Sequence, residues 1–231
     1  RYLPSMSDSL HAVFGPVTTP FREDGELDRS GFEKNIAAHI RQGLRGVVVS
    51  GSTGEAALLD ERERQHLVEW ARPFVSKDGM LIAGAGAEST RTTLTYASNA
   101  ARAGADAVLV VAPHYFGSAM TEEALRAHYL RVAEGSPIPV ILYNIPKYMH
   151  FRLSNALVAE LAKHQNVIGI KDSSGDLDLL RSYLASQSDT FSVLTGSGSG
   201  VLAALEMGAR GGILAVALFA LPLALEVREA L

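Results

Sequence analysis

The sequence predicts an α/β protein of the (β/α)₈ barrel class, and three observations carry that prediction. Eight short runs are continuously apolar rather than alternating, as expected of parallel strands buried on both faces. They recur about every thirty residues, the length of one strand, one helix and two loops. Segments with helical periodicity lie between them. An open, doubly wound sheet is the alternative, but no Gly-x-Gly-x-x-Gly follows the first apolar run.

In chain order, the strand candidates begin with "AVFGPV" (12–17), "GVVVS" (46–50), "MLIAG" (80–84) and "DAVLVVA" (106–112). "PVILY" (139–143), "VIGIK" (167–171), "FSVLT" (191–195) and "GGILAV" (211–216) complete the set. Helical segments between them include "GFEKNIAAHIRQG", "ERERQHLVEWARPF", "TLTYASNAARAG" and "EALRAHYLRVAEG". Several of these close on glycine, which takes the left-handed conformation common just past a helix end. The longest apolar stretch, 211–225, is interrupted by Pro222 and is shorter than the ~20 residues of a spanning helix. It reads as a strand running into a helix. No linker or low-complexity tract divides the chain, so residues 1–231 are expected to form one barrel domain.

Composition narrows the function. The 231 residues are 47% hydrophobic and 20% charged with a net charge of −4, and no basic cluster offers a surface to nucleic acid. The chain contains no cysteine, which removes disulfides, thiolate catalysis and cysteine-bound zinc together. No signal-peptide pattern and no Asn-x-Ser/Thr sequon appear, so a cytoplasmic, membrane-free protein is expected. The seven histidines show no metal-ligand spacing, and only His114 falls beside the expected barrel mouth. Walker and Gly-x-Ser-x-Gly patterns are absent.

A barrel places its site where the strands' C-terminal ends converge. The second strand ends in "SGSTGE", the fourth in "APHYF", the fifth in Tyr143, the sixth in Lys171 and the seventh in "TGSGSG". A lysine closing a buried strand is costly unless it is paired or used. Pairing with Asp172 or Asp176 is the bland reading, with Tyr143 as a half-buried core phenol. The chemical reading is amine catalysis: an apolar pocket favours the free amine, which attacks a ketone to form a Schiff base. The protonated imine then acts as an electron sink for making or breaking an adjacent C–C bond. Tyr143 is suited to proton transfer, and Ser52 and Thr53, with their backbone N–H groups, to holding a carboxylate.

These residues resemble the dihydrodipicolinate synthase/N-acetylneuraminate lyase family of class I aldolases, through "GSTGE", "YNIP", "GIKDSSGD" and "TGSGSG" in that order. The resemblance runs from "PVTTPF" through the eighth strand. It implies Lys171 as Schiff-base lysine, Tyr143 as general acid/base, and Ser52 and Thr53 as carboxylate-binding hydroxyls. Thr53 would also relay protons to Tyr143. Tyr115 would complete the relay from a neighbouring subunit, and Gly196 and Ile213 would line the pyruvate unit. No metal or organic cofactor is implied; a homotetramer built as a dimer of dimers is.

Within the family, dihydrodipicolinate synthases carry an arginine for the second carboxylate where this chain has Tyr148. "LIAGAGAEST", "GADAVLVVAPHYF" and "SPIPVILYNIP" are most similar to 4-hydroxy-2-oxoglutarate aldolases, although that branch often has Asn in place of Thr53. The expected reaction is therefore cleavage of a 4-hydroxy-2-oxo acid to pyruvate and an aldehyde. Condensation of pyruvate with aspartate semialdehyde is the alternative, and a non-catalytic 2-oxo-acid binder a third. Family members carry a C-terminal helical extension beyond the barrel, and the sequence stops about where it would begin.

Overall fold

The computed structural model describes residues 7–229. Eight parallel strands close into a barrel in sequence order. They are β1 (Val13–Pro16), β2 (Gly46–Val49), β3 (Met80–Gly84), β4 (Ala107–Val111), β5 (Val140–Asn144), β6 (Val167–Asp172), β7 (Ser192–Thr195) and β8 (Gly211–Ile213). Closure comes from the pairs Val13↔Gly212 and Phe14↔Ile213. Every strand predicted from an apolar run is present. Their continuous apolarity has the expected cause: Val47, Val48, Val49, Ile141 and Leu142 are all fully buried, each contributing about 1.5–3 kcal/mol of burial.

Helices α1 (Arg29–Arg41), α2 (Glu61–Ala71), α3 (Thr90–Ala103) and α4 (Glu122–Gly135) follow the first four strands. A single turn, α5 (Pro146–Met149), precedes α6 (Asn155–Leu161) after β5. The last three are α7 (Leu177–Leu184), α8 (Val201–Glu206) and α9 (Leu221–Glu229). Short polar side chains start most of them: Asp28, Asp60, Ser89, Thr121, Ser154 and Asp176 each accept from a first-turn N–H. Asp60 and Glu63 form a reciprocal capping box.

The eighth strand is shorter than its apolar run. β8 ends at Ile213, and Ala215–Leu218 turn into a 3₁₀ helix. Pro222 stands in the first turn of α9, where its missing N–H costs no intrahelical bond, so it starts that helix instead of breaking it. Tight packing shapes the barrel's C-terminal rim. A Cβ on Gly84 would overlap the Ser50 carbonyl oxygen, so only glycine lets the ends of β2 and β3 approach this closely. Backbone strain gathers on the same rim. The described non-glycine residues with positive φ are Ser50 (52°), Glu55 (59°) and His150 (62°), after β2 and after α5.

On the helical layer, His128 of α4 is buried and its Nδ1 lies 2.9 Å from Thr90 Oγ1 at the start of α3. Burial pushes its pKa down from 6.5 to about 4. The unfolded chain therefore takes up this proton first as pH falls. Stability is complete above about pH 6.5 and declines towards pH 4, by about 3 kcal/mol from this group. Urea midpoints at pH 7 and pH 4.5 should show that decline, and His128→Asn should flatten it.

Candidate active site

Lys171 and Tyr143 meet because β5 and β6 pair in register at the rim, Tyr143 opposite Lys171. Both are buried, Lys171 at 6% exposure and Tyr143 at 5%. Lys171 Nζ stands 4.2 Å from the centroid of the Tyr143 ring. Among the described residues no carboxylate lies within ion-pair distance of Lys171. The bland reading therefore fails at both proposed partners. Asp172 faces away on the alternating strand, bonded to Asn144 and Ser174. Asp176 caps α7 and lies 3.5 Å from Arg152.

Ser52 and Thr53 occupy the turn after β2, which Ser50 opens in a left-handed conformation. Ser50 Oγ is buried and has no hydrogen-bond partner among the described residues. The turn is tied down from β1's loop, where Thr19 Oγ1 donates to the Gly54 carbonyl at 2.7 Å. Ser52 Oγ lies 3.5 Å from the Tyr143 hydroxyl, at the outer limit of a hydrogen bond. Thr53 is half-buried beside it, and no side-chain hydrogen bond joins it to Tyr143. A cleft of about 530 Å³ opens from Ser52 along His114, Ile145 and Tyr148.

Gly196 follows β7 and its N–H donates to the Asp172 carbonyl at 2.6 Å. A Cβ there would overlap the Ser173 hydroxyl and lie 2.8 Å from Lys171 Cε. The missing side chain thus makes room for the lysine itself. Ile213 is buried at the end of β8, opposite Phe14. Tyr148 is 47% exposed on α5, at the cleft. Tyr115 is not brought to Tyr143 within the chain. It is 78% exposed, its ring edge-on to Phe116, on a loop whose His114 and Tyr115 N–H groups both donate to Glu88.

Ser173 and Asn144 were missed in the sequence, and Asp172 entered only as a candidate partner of Lys171. Ser173 shares Lys171's face, since alternate strand positions point the same way, and its hydroxyl sits beside the lysine across Gly196. Asn144 and Asp172 lie one residue beyond Tyr143 and Lys171 and pair on the opposite face. The period of two was the available signal for all three. Burial holds the Asp172 carboxyl above the usual carboxylate range, and the bonds from Ser174 and Asn144 oppose that rise. Gly196→Ala is expected to lower stability by about 1–3 kcal/mol in urea unfolding, because Lys171 and Ser173 must both give way.

Residues 9–224 match the model of the dihydrodipicolinate synthetase family. A 4-hydroxy-tetrahydrodipicolinate synthase from Thermodesulfovibrio yellowstonii is 36% identical over 197 residues, 85% of this chain and 67% of that protein. The chain thus spans about two thirds of that relative's length. Among solved structures, the chloride-inhibited dihydrodipicolinate synthase of Acinetobacter baumannii complexed with pyruvate superposes with a TM-score of 0.90. It is 32% identical, with 96% of this chain and 76% of that chain covered. The E. coli K12 prophage protein YagE, of the dihydrodipicolinic acid synthase family and also in complex with pyruvate, gives 0.89 at 32% identity over 95% and 74%. Fold, motif order and sequence agree over nearly the whole chain: it belongs to the dihydrodipicolinate synthetase family and is an enzyme of it.

Proposed function

We propose that this protein is a Schiff-base lyase that binds pyruvate on Lys171. The observation that carries the reading is the buried Lys171 amine, with no carboxylate counter-ion among the described residues, 4.2 Å from the centroid of the Tyr143 ring. The amine adds to the ketone carbon of pyruvate, and loss of water gives the imine. Loss of a methyl proton then gives an enamine, which attacks an aldehyde carbon to form the new C–C bond. Hydrolysis of the imine releases product and restores Lys171; cleavage runs the same steps backwards. Tyr143 carries the protons, with Ser52 Oγ at 3.5 Å from its hydroxyl; the relay role of Thr53 rests on the family resemblance alone. The Ser52–Thr53 turn, with its hydroxyls and backbone N–H groups, receives the pyruvate carboxylate, while Gly196 and Ile213 line the pyruvate unit, Ile213 from the apolar side.

For the aldehyde, the relatives turn the balance of the sequence reading. Those between 36% and 39% identical are named 4-hydroxy-tetrahydrodipicolinate synthase, which supports condensation with aspartate semialdehyde over cleavage of 4-hydroxy-2-oxoglutarate. The second reading keeps one observation in its favour: Tyr148 lines the cleft, at the sequence position where the resemblance to dihydrodipicolinate synthases would put an arginine. Assembly is proposed to follow the family, as a dimer of dimers. The exposed Leu58, Tyr115 and Phe116 on the rim support that proposal, being large apolar groups left in solvent. A cytoplasmic setting suits a chain free of cysteine, and among the described residues no helix is long and apolar enough to cross a membrane.

Borohydride reduction in the presence of pyruvate should add one pyruvate-derived mass to Lys171, located by peptide mass spectrometry; no adduct on folded protein would sink the Schiff-base assignment. Tyr143→Phe should still trap pyruvate but lose about 10²–10⁴-fold in turnover, measured in steady state. Side-by-side assays with aspartate semialdehyde and 4-hydroxy-2-oxoglutarate should show the larger kcat/KM for the former. A preference for the latter would return the assignment to the aldolase branch, and binding of pyruvate without turnover of either would mark a binder.

A further inference from the structure

Lys171 reaches the barrel mouth only while β5 and β6 hold their register, and that register is interrupted lower down. Val140 pairs with Val167, but Ile141 pairs with Gly169, so Ile168 is passed over. Such an irregularity leaves the strand above it free of the register set below. A slip of one residue there would turn Lys171 from the mouth to the helical layer.

Above the irregularity the two strands are tied by a polar cluster on the face opposite Lys171. Asn144 is fully buried and donates from Nδ2 to Asp172 Oδ1 at 2.7 Å. Its own Oδ1 accepts from the Leu153 N–H at 3.0 Å, which anchors it to the segment leading into α6. Ser174 donates to both Asp172 oxygens, from its backbone N–H at 3.2 Å and its hydroxyl at 2.7 Å. On the main chain, Ser173 N–H donates to the Asn144 carbonyl at 2.9 Å, and Gly196 N–H to the Asp172 carbonyl at 2.6 Å. Asp172 therefore joins β5, its own loop and the start of the β7 loop. Asp172 is 3% exposed, and no cation lies within ion-pair distance of it among the described residues. It is not the counter-ion of Lys171.

We propose that Asp172 and Asn144 are positioning residues, a side-chain tie that fixes the register of β5 against β6 and thereby holds Lys171 over Tyr143. The proposal rests on the Schiff-base reading of Lys171. Burial of the carboxyl, which disfavours its charged form, opposes the tie energetically, while each of its bonds supports it.

The test is the rate at which borohydride traps pyruvate on Lys171, per folded molecule, alongside the thermal midpoint and near-UV circular dichroism. Asp172→Ala removes the acceptor for Asn144 and Ser174 and should slow trapping by at least about tenfold in protein that is still folded, the scale expected of a small misplacement of a reacting group. Asp172→Asn keeps the acceptor oxygen for Asn144 and should trap within about threefold of wild type, rescuing the alanine variant. If Asp172→Ala does not fold, Ser174→Ala removes one bond to the same carboxylate, together with the acceptor of the Asp176 N–H, and should slow trapping by about threefold in protein that is still folded. Wild-type rates in folded Asp172→Ala, or in Ser174→Ala, overturn the proposal. So does a tenfold loss in folded Asp172→Asn, which would make charge and not the tie the requirement. An absence of trapping in the wild type instead defeats the Schiff-base reading, and the tie's purpose with it.

Discussion

The pairing of β5 with β6 at the barrel rim is the constraint on which the site depends. It sets Tyr143 opposite Lys171 and Asn144 opposite Asp172, so one register decides both the amine–phenol pair and the polar cluster behind it. Parallel strands point successive side chains to opposite faces. Two adjacent residues on each strand therefore serve two compartments: one opens to the mouth, the other is sealed under the helices. Neither compartment can be rearranged without the other.

The rest of the rim is built around that pair by close approach and local strain. Gly84 lets β2 and β3 converge at Ser50, and Ser50 takes a positive φ with a buried hydroxyl that has no partner among the described residues. Those costs stand where the Ser52–Thr53 turn must face Tyr143. Gly196 does the same service on the other side, leaving the volume that Lys171 and Ser173 fill. Rigid, apolar strands supply the stability, and the loops after them hold the unfavourable conformations. This division explains why the chemistry-bearing residues sit at strand ends rather than within strands.

Family membership and geometry speak to different parts of the function. The buried amine, the phenol over which it lies and the hydroxyl turn support imine chemistry on a 2-oxo acid without reference to any relative. On the proposed reading, the choice of aldehyde would rest with the cleft beyond Ser52, where Tyr148 is half exposed and His114 is drawn towards Glu88. Such groups lie on loops that vary within one barrel, so the cleft bears on specificity while the strand ends bear on mechanism.

By itself the sequence determined the barrel and the identity of its rim. Continuous apolar runs such as "GVVVS" and "PVILY", repeated about every thirty residues, are the pattern of strands buried on both faces, and Lys171 at the end of such a run is anomalous in one dimension. The end of β8 was not legible, because apolarity continues unchanged from Ile213 into the 3₁₀ turn and α9. Lys171's neighbours offered two carboxylates, and only the alternation of the strand and the cap of α7 assigned them elsewhere. Tyr115 is expected to act on a neighbouring subunit, and its 78% exposure on an outward loop is compatible with that expectation. Residue type and local period are written along the chain. Which face a strand presents above an interrupted register, and what lies 2.7 Å across it, is decided only when two distant segments meet.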